Sequence, residues 1–261
     1  MPIHPSSIVA PGAIVPESCN IGPFCTVGPN VVLGEHCELV SHVVLDGHLT
    51  MGENNRVFPF SSVGCSPQDL KYKGEPTRVT IGKNNTIREC VTISRGTVGG
   101  GGNTTVGDDC LIMAYVHIGH DSHIGNGVIL PNGATLAGHV TVEDFAVISA
   151  NAPIHQFCTV GAYAYIGGGT TITQDVLPYS LTSQRRENKA FGINKVGLER
   201  RGFTPEEIKQ LRAAYRLLQA SKLNTTQALE AIRQKVAVGE FGEKVAYLAD
   251  FIAKSERGII K

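Results

Sequence analysis

Tryptophan is absent from the 261 residues, and Phe, Trp and Tyr together make up only 6%. A core centred on large aromatic rings is therefore disfavoured. No run of about 18 apolar residues occurs, so no membrane-spanning helix is expected. The N-terminal MPIHPSSIVAPGA lacks a basic region followed by an apolar stretch, and no signal peptide is expected. The seven cysteines contain no CxxC pair, which argues against a zinc ribbon and a disulfide framework. Net charge is also missing, with 23 Lys+Arg against 23 Asp+Glu, but the balance hides a split. Residues 1–178 hold 7 basic and 14 acidic side chains and 24 of the 30 glycines, whereas residues 179–261 hold 16 basic and 9 acidic. Two kinds of chain meet near Pro178, and the basic tail is either a solvated helical surface or a dock for an acidic partner.

The front segment repeats every six residues. From Ile3 the aliphatics run through Val9, Val15, Ile21, Val27, Leu33, Leu39, Leu45, Met51, Val57 and Val63, and they resume at Ile81, Ile87 and Ile93. After one phase shift they continue from Val106 in steps of six to Ile172, giving 26 aliphatic residues at 26 steps. A six-residue period is neither helical nor a simple alternating strand. It fits short strands joined by tight turns, three to a triangular coil, with coils stacked about 4.8 Å apart. The aliphatics then fill a prism, the hexapeptide-repeat parallel β-helix. Cys19, Cys25, Cys37, Cys110 and Cys158 fall four residues after an aliphatic and read as small inward packing residues.

Two segments break the repeat. Cys65–Arg78 is polar and leaves the phase unchanged, whereas Ser94–Thr105, with its glycine run, shifts it. Such excursions are usually functional or oligomer-forming. The glycine run lacks GxxxxGK[ST] and is not a phosphate loop. In the tail, Thr204-Pro205-Glu206-Glu207 reads as a capping box, and helices are expected after it, after Asn224 and over EKVAYLADFIAKS. They form either a small bundle or an end-cap over the open β-helix edge.

Histidines concentrate at His117, His120, His123, His139 and His155. Coil arithmetic stacks His120, His139 and His155/Gln156 in one corner column, with Asp121 next to His120. A His held by a carboxylate suits a general base. The competing readings are plain surface histidines and a zinc site. The spacing His117-x2-His120-x2-His123 sends successive side chains to different faces, which opposes convergence on one metal. A purely structural or ice-binding β-helix would need neither this column nor the basic tail; a structural solenoid that binds partners is the non-enzyme alternative.

The motifs GEPTRVTIG, RGTV, HIGHD, TLAGHV, IHQF, QDV and FGINKVGLERRGF resemble the acyl-ACP–UDP-N-acetylglucosamine O-acyltransferases of lipid A biosynthesis, along nearly the whole chain. The resemblance implies an all-β left-handed parallel β-helix over residues 1–178 and a C-terminal α-helical domain over 179–261. It implies a cytoplasmic homotrimer that moves an (R)-3-hydroxyacyl group from acyl carrier protein to the 3-OH of UDP-N-acetylglucosamine. Carried over by motif, His120 is the base, Asp121 its orienter and Gly138 N–H the oxyanion donor. Substrate contacts are implied for Gln68, Asp69, Lys71, His117, His139, His155, Gln156, Asn194 and Arg200. Arg200 and Arg201 are implied as carrier-protein docking residues, and Gly168 as the acyl-chain ruler, its missing side chain leaving the groove open. Two departures stand out: Ser94 where the family often has His, and Val196 where it can have an acidic residue. No metal, no cofactor and no nucleic acid are expected, since phosphopantetheine arrives on the carrier protein. The alternative enzyme is an N-acyltransferase or a CoA-dependent acetyltransferase of the same hexapeptide class.

Overall fold

A computed structural model describes residues 3–184, 188–219 and 223–260. The front of the chain winds into a three-faced prism, and its strands, mostly two residues long, pair in parallel with strands one coil away. The pairs His117↔Thr135 and Ile118↔Leu136 illustrate the standard step from one coil to the next, three six-residue repeats along the chain. The first face runs from Ile8–Val9 to Pro153–Ile154, the second from Val32–Leu33 to Thr159–Val160, and the third from Asn20–Ile21 to Tyr165–Ile166. The six-residue aliphatics point inward as read from the sequence. From Ile21 to Ile172 every one is 3% exposed or less, and Ile3, Val9 and Val15 are less covered because they lie at the open first coil.

Each corner between faces must turn the chain sharply, and most do so with a residue in the left-handed region. Phe24, His42 and Phe60 occupy one such series, with φ of 59°, 52° and 65°. Asp121, His139 and Phe157 occupy another, with φ of 57°, 61° and 64°. Because each corner recurs once per coil, these side chains stack in ladders. The five predicted inward thiols are 2% exposed or less, and burial pushes those of Cys37 and Cys110 up to about 11. They are packing atoms, not nucleophiles.

Both excursions leave the corner between the first and second faces. Met51 pairs with Ile81, so the first loop adds two whole repeats to the standard coil and keeps the phase. Ile81 pairs with Val106, so the second adds one repeat and a single further residue, which shifts the phase.

The tail differs from the sequence expectation in opening with strands. Ser180–Gln184 adds in parallel to Tyr165–Ile166 on the third face, and Asn188–Ile193 pairs back on it. Helix α1 (Lys195–Arg200) follows, capped by Asn194, whose side chain accepts from Gly197 N–H. Then come α2 (Pro205–Gln219), α3 (Thr225–Ala237) and α4 (Glu243–Lys254). The Thr204/Glu207 capping box forms as read: Glu207 N–H donates to Thr204 Oγ1 and Thr204 N–H to Glu207 Oε2. A second box joins Asn224 and Gln227.

The two alternatives for the tail both hold. Helices α2, α3 and α4 share a core with Tyr179 and Leu177. That core packs on the corner between the second and third faces, where Tyr163 meets Phe203 edge-on at 5.0 Å and Tyr215 donates to Pro178 O. The C-terminus also closes the last coil. Ile260 enters the prism core, its N–H bonded to Asp175 O, and the buried Asp175 carboxylate accepts from Ser255 Oγ and Thr159 N–H. No helix among the described residues is long and apolar enough to cross a membrane.

Ile112 is fully buried between Ile87 and Leu130 in mid-prism. The Ile112→Ala variant is expected to lose about 2–5 kcal/mol, because neighbouring coils cannot collapse into the void. Urea denaturation followed by circular dichroism checks this.

Candidate active site

The two loops and the histidines converge on the corner between the first and second faces. His120 Nδ1 lies 2.8 Å from Asp121 Oδ2, and the His120 side chain is 19% exposed. Asp121 is 2% exposed. Burial alone would raise its carboxyl; hydrogen bonds from Thr97 and His120 outweigh that and hold it below the usual carboxylate range. An ionised Asp121 accepts a hydrogen bond from His120 Nδ1–H, which leaves Nε2 as the free nitrogen of the ring.

Gly138 lies against that nitrogen. A Cβ on it would stand 2.7 Å from both His120 Cε1 and Nε2, so only glycine lets the ring lie flat there. Its N–H has no acceptor among the described residues. The position is one where the fold asks for no donor: Pro11, Pro23 and Pro59 stand at the same step after an aliphatic elsewhere in the prism. A backbone donor without an acceptor next to a free imidazole nitrogen is what acyl transfer needs for a developing oxyanion.

His139 stacks above, its ring edge-on to His120 at 5.1 Å and nearly parallel to Phe157 at 4.5 Å and 14°. This corrects the expected column. The third member is Phe157, because Asp121, His139 and Phe157 share the left-handed corner step, whereas His155 lies two residues earlier. His155 is exposed, and its Nδ1 sits 3.1 Å from an Arg257 guanidinium nitrogen of the C-terminal segment. Gln156 is exposed at the same coil. His117 lies on the first face with Nδ1 2.7 Å from Thr92 Oγ1; burial, then His120, lower its pKa. Burial is also the main cause lowering His139, partly offset by Asp121. His123 points outward on the second face, bonded to Thr105.

A cavity of about 330 Å³ opens beside the column, lined by Asp69, Lys71, Thr97, Val98, His139 and Phe157 among others. Asp69 Oδ1 accepts the Lys71 N–H and turns the loop tip, with Gln68 exposed beside it. Residues that sequence reasoning passed over hold this wall. Arg95 bonds Tyr72 Oη, Gly64 O and Ser66 Oγ, tying the first loop to the prism. Thr97 reaches Asp121. Both sit in RGTV, a motif that marked the family without its local chemistry being visible.

The remaining candidates lie elsewhere in the chain. Asn194, Arg200 and Arg201 line a cavity of about 560 Å³ on the third face and its corner with the second, with Ile129, Phe145 and Val196. There Arg201 lies over the Phe145 ring at 4.5 Å, and Asn194 Nδ2 donates to Tyr163 O. Gly168 is exposed at the third corner. An added Cβ would meet only Ala150 O at 3.3 Å, and the left-handed residue of that turn is Gly169 at φ 68°, so the turn does not demand glycine at 168. Of the departures, Ser94 is buried at the end of strand Thr92–Ser94, and Val196 is exposed on α1.

A metal could in principle use His120, Asp121 and His139, whose donor atoms lie within 4.8 Å of one another. Their chemistry opposes it. Both Asp121 oxygens already accept from Thr97 N–H, and His120 Nδ1 is turned to Asp121. A metal on these three would compete with the bonds they already make, and no fourth protein ligand joins them among the described residues.

Known proteins resemble the chain along its whole length. Residues 175–260 match the family model for domain 2 of UDP-N-acetylglucosamine O-acyltransferase, and residues 103–138 match that for bacterial transferase hexapeptide repeats. The acyl-[acyl-carrier-protein]–UDP-N-acetylglucosamine O-acyltransferase of Burkholderia lata is 52% identical over 260 residues, 99% of both chains. The solved UDP-N-acetylglucosamine acyltransferase of Francisella novicida superposes with a TM-score of 0.95 at 43% identity, covering 99% of this chain and 93% of that one. A solved structure from Acinetobacter baumannii gives 0.95 at 40% identity with both chains fully covered. A left-handed parallel β-helix with a C-terminal helical domain, similar from end to end to these enzymes, places the chain in the acyl-[acyl-carrier-protein]–UDP-N-acetylglucosamine O-acyltransferase family.

Proposed function

We propose that the chain transfers an (R)-3-hydroxyacyl group from acyl carrier protein to the 3-OH of UDP-N-acetylglucosamine, the first step of lipid A biosynthesis, with His120 as general base. The observation that carries the mechanism is the His120–Asp121 pair set beside the acceptor-free Gly138 N–H. His120 Nε2 takes the sugar hydroxyl proton as that oxygen attacks the thioester carbonyl carbon. Gly138 N–H stabilises the oxyanion. Collapse breaks the carbon–sulfur bond, and the phosphopantetheine thiolate leaves with the proton returned by His120. No covalent enzyme intermediate is needed, in keeping with thiols that are packed inward and raised by burial.

The other roles follow from placement. Asp69, Lys71 and His139 line the cavity beside the base, Gln68 adjoins Asp69 and His117 lies three residues before His120, and all suit contacts to sugar and acyl donor. His155 and Gln156 suit the nucleotide side. Asn194, Arg200, Arg201 and Gly168 lie at other corners of the same chain, too displaced to complete this site from within. A homotrimer, with a neighbouring chain's cavity facing each His120 corner, brings the two sets together. The mechanism uses no metal and no cofactor of its own, and the cytoplasm supplies both substrates.

His120→Ala is expected to lower kcat about 10²- to 10⁴-fold while melting temperature and assembly stay unchanged. The same assay with EDTA should leave the wild-type rate as it was. Near-normal turnover by the folded variant refutes the base, and loss restored by zinc refutes the metal-free mechanism.

The tail carries 16 basic against 9 acidic residues, and Arg200 is among its exposed charges. Reversing Arg200 and Arg201 to Glu should raise KM for acyl carrier protein at low salt, and added salt should narrow the gap to wild type. An unchanged KM removes the docking role.

Gly168→Met is expected to shift donor preference toward shorter chains, since a side chain there narrows the groove and each excluded methylene forfeits about 0.8 kcal/mol. Rates with hydroxyacyl donors of several lengths test it. Equal loss at every length would exclude the ruler.

A further inference from the structure

We propose that Thr97 is the positioning residue of the site: its hydroxyl fixes the Asp121 carboxylate so that His120 keeps its proton on Nδ1 and presents Nε2 to the substrate. The inference rests on the reading of His120 as the base. Its ground is the unusual use Thr97 makes of its side chain. Thr97 occupies the N-cap position of a 3-10 turn, Val98–Gly100, where a threonine hydroxyl ordinarily accepts from the turn's own N–H groups. Here it makes no such cap. It donates instead to Asp121 Oδ2 at 2.6 Å, and its backbone N–H reaches Oδ1 and Oδ2 at 2.9 and 3.0 Å.

These bonds matter because of where Asp121 is. At 2% exposure it has almost no water, and an ionised carboxylate is costly there unless its oxygens find donors. Among the described residues, all its side-chain donors apart from His120 belong to Thr97. The surrounding loop is shaped to this carboxylate. A Cβ on Gly100 would come 2.1 Å from Asp121 Cγ, and one on Gly96 would come 2.8 Å from Oδ1. Thr97 O gathers the loop by accepting from Gly100 and Gly102 N–H, and Thr104 Oγ1 accepts the Asp121 N–H. The glycine-rich excursion is thus a strap that closes over a buried carboxylate, and Thr97 is its inner contact.

The hydroxyl does two things for the base. It fixes the rotation of the carboxylate, so that Oδ2 faces His120. It also favours the charged form of Asp121, whose ionisation persists to lower pH than that of an ordinary buried carboxyl. Without it Asp121 takes up a proton at higher pH, and the neutral acid holds His120 poorly. A depressed carboxyl supports activity above its pKa and withdraws that support as pH falls through it, so losing the depression moves the acid limb upward.

The test compares wild type, Thr97→Val, Thr97→Ala, Thr97→Ser and His120→Ala in initial-rate assays with 3-hydroxyacyl-ACP and UDP-N-acetylglucosamine over a pH series. Loss of a hydrogen bond to a charged group corresponds to about a tenfold to hundredfold fall in kcat. Thr97→Val is expected to show that fall with KM for the nucleotide sugar unchanged and the acid limb of kcat displaced to higher pH. Thr97→Ser, which keeps the hydroxyl, should recover most of the rate and restore the limb. Thr97→Ala stands in where valine disturbs folding, as judged by melting temperature. Wild-type kcat and pH profile in the folded Val or Ala variant overturn the proposal, as does an equal loss in Thr97→Ser or a change confined to KM. If His120→Ala is inactive while the Thr97 variants behave as wild type, the positioning role fails and the base stands. If His120→Ala stays active, the base itself fails.

Discussion

The site depends on one geometric constraint, the left-handed turn that the prism makes at most of its corners, the one carrying Asp121, His139 and Phe157 included. Such a turn costs most residues about 1–2 kcal/mol, and it is tolerated because both flanking strands are locked by parallel pairing on either side. In return, side chains at one corner recur every coil in the same orientation. Asp121, His139 and Phe157 share that step, so a carboxylate, an imidazole and a phenyl ring stack in a ladder without a helix or a long strand to hold them. His120 precedes the first of them, and its ring is carried over Gly138 by the same repeat.

The two insertions turn a repetitive wall into a site. Both leave the corner that carries His120, one pinned by Arg95 and the other closed on Asp121 by Thr97. Together they take a surface carboxylate out of water and wall a cavity beside the His120 column. The corner between the third and first faces stays open, with Phe24, Phe60 and Tyr115 largely exposed. Chemistry concentrates where the polar loops supply donors that the bare solenoid lacks.

The tail is more than an appended bundle. Its first strands extend the third face, its aromatic core seats on Tyr163 and Tyr179, and its last residues plug the final coil through Asp175 and Ile260. This docking explains why an arginine pair and Asn194 sit one corner away from His120.

The six-residue aliphatic step, the inward thiols, the two loop positions and the Thr204 and Asn224 caps were legible in the residues alone, because each is set by local spacing or by chemistry within a few residues. The adjacent His120–Asp121 pair was legible for the same reason. Coil arithmetic also brought Gly138 to His120, since no insertion separates them. It failed at the top of the column, where the corner conformation selects Phe157 over His155, a choice of backbone angle that a residue count does not contain. The strands Ser180–Gln184 and Asn188–Ile193 carry no six-residue aliphatic step, and their place is set by pairing with the edge of the third face. The contact of Thr97 with Asp121 reaches across a loop whose extra length breaks the period. Only tertiary closure could decide which donor would reach that carboxylate, because the need for one arises from a burial that exists only once the strap is shut.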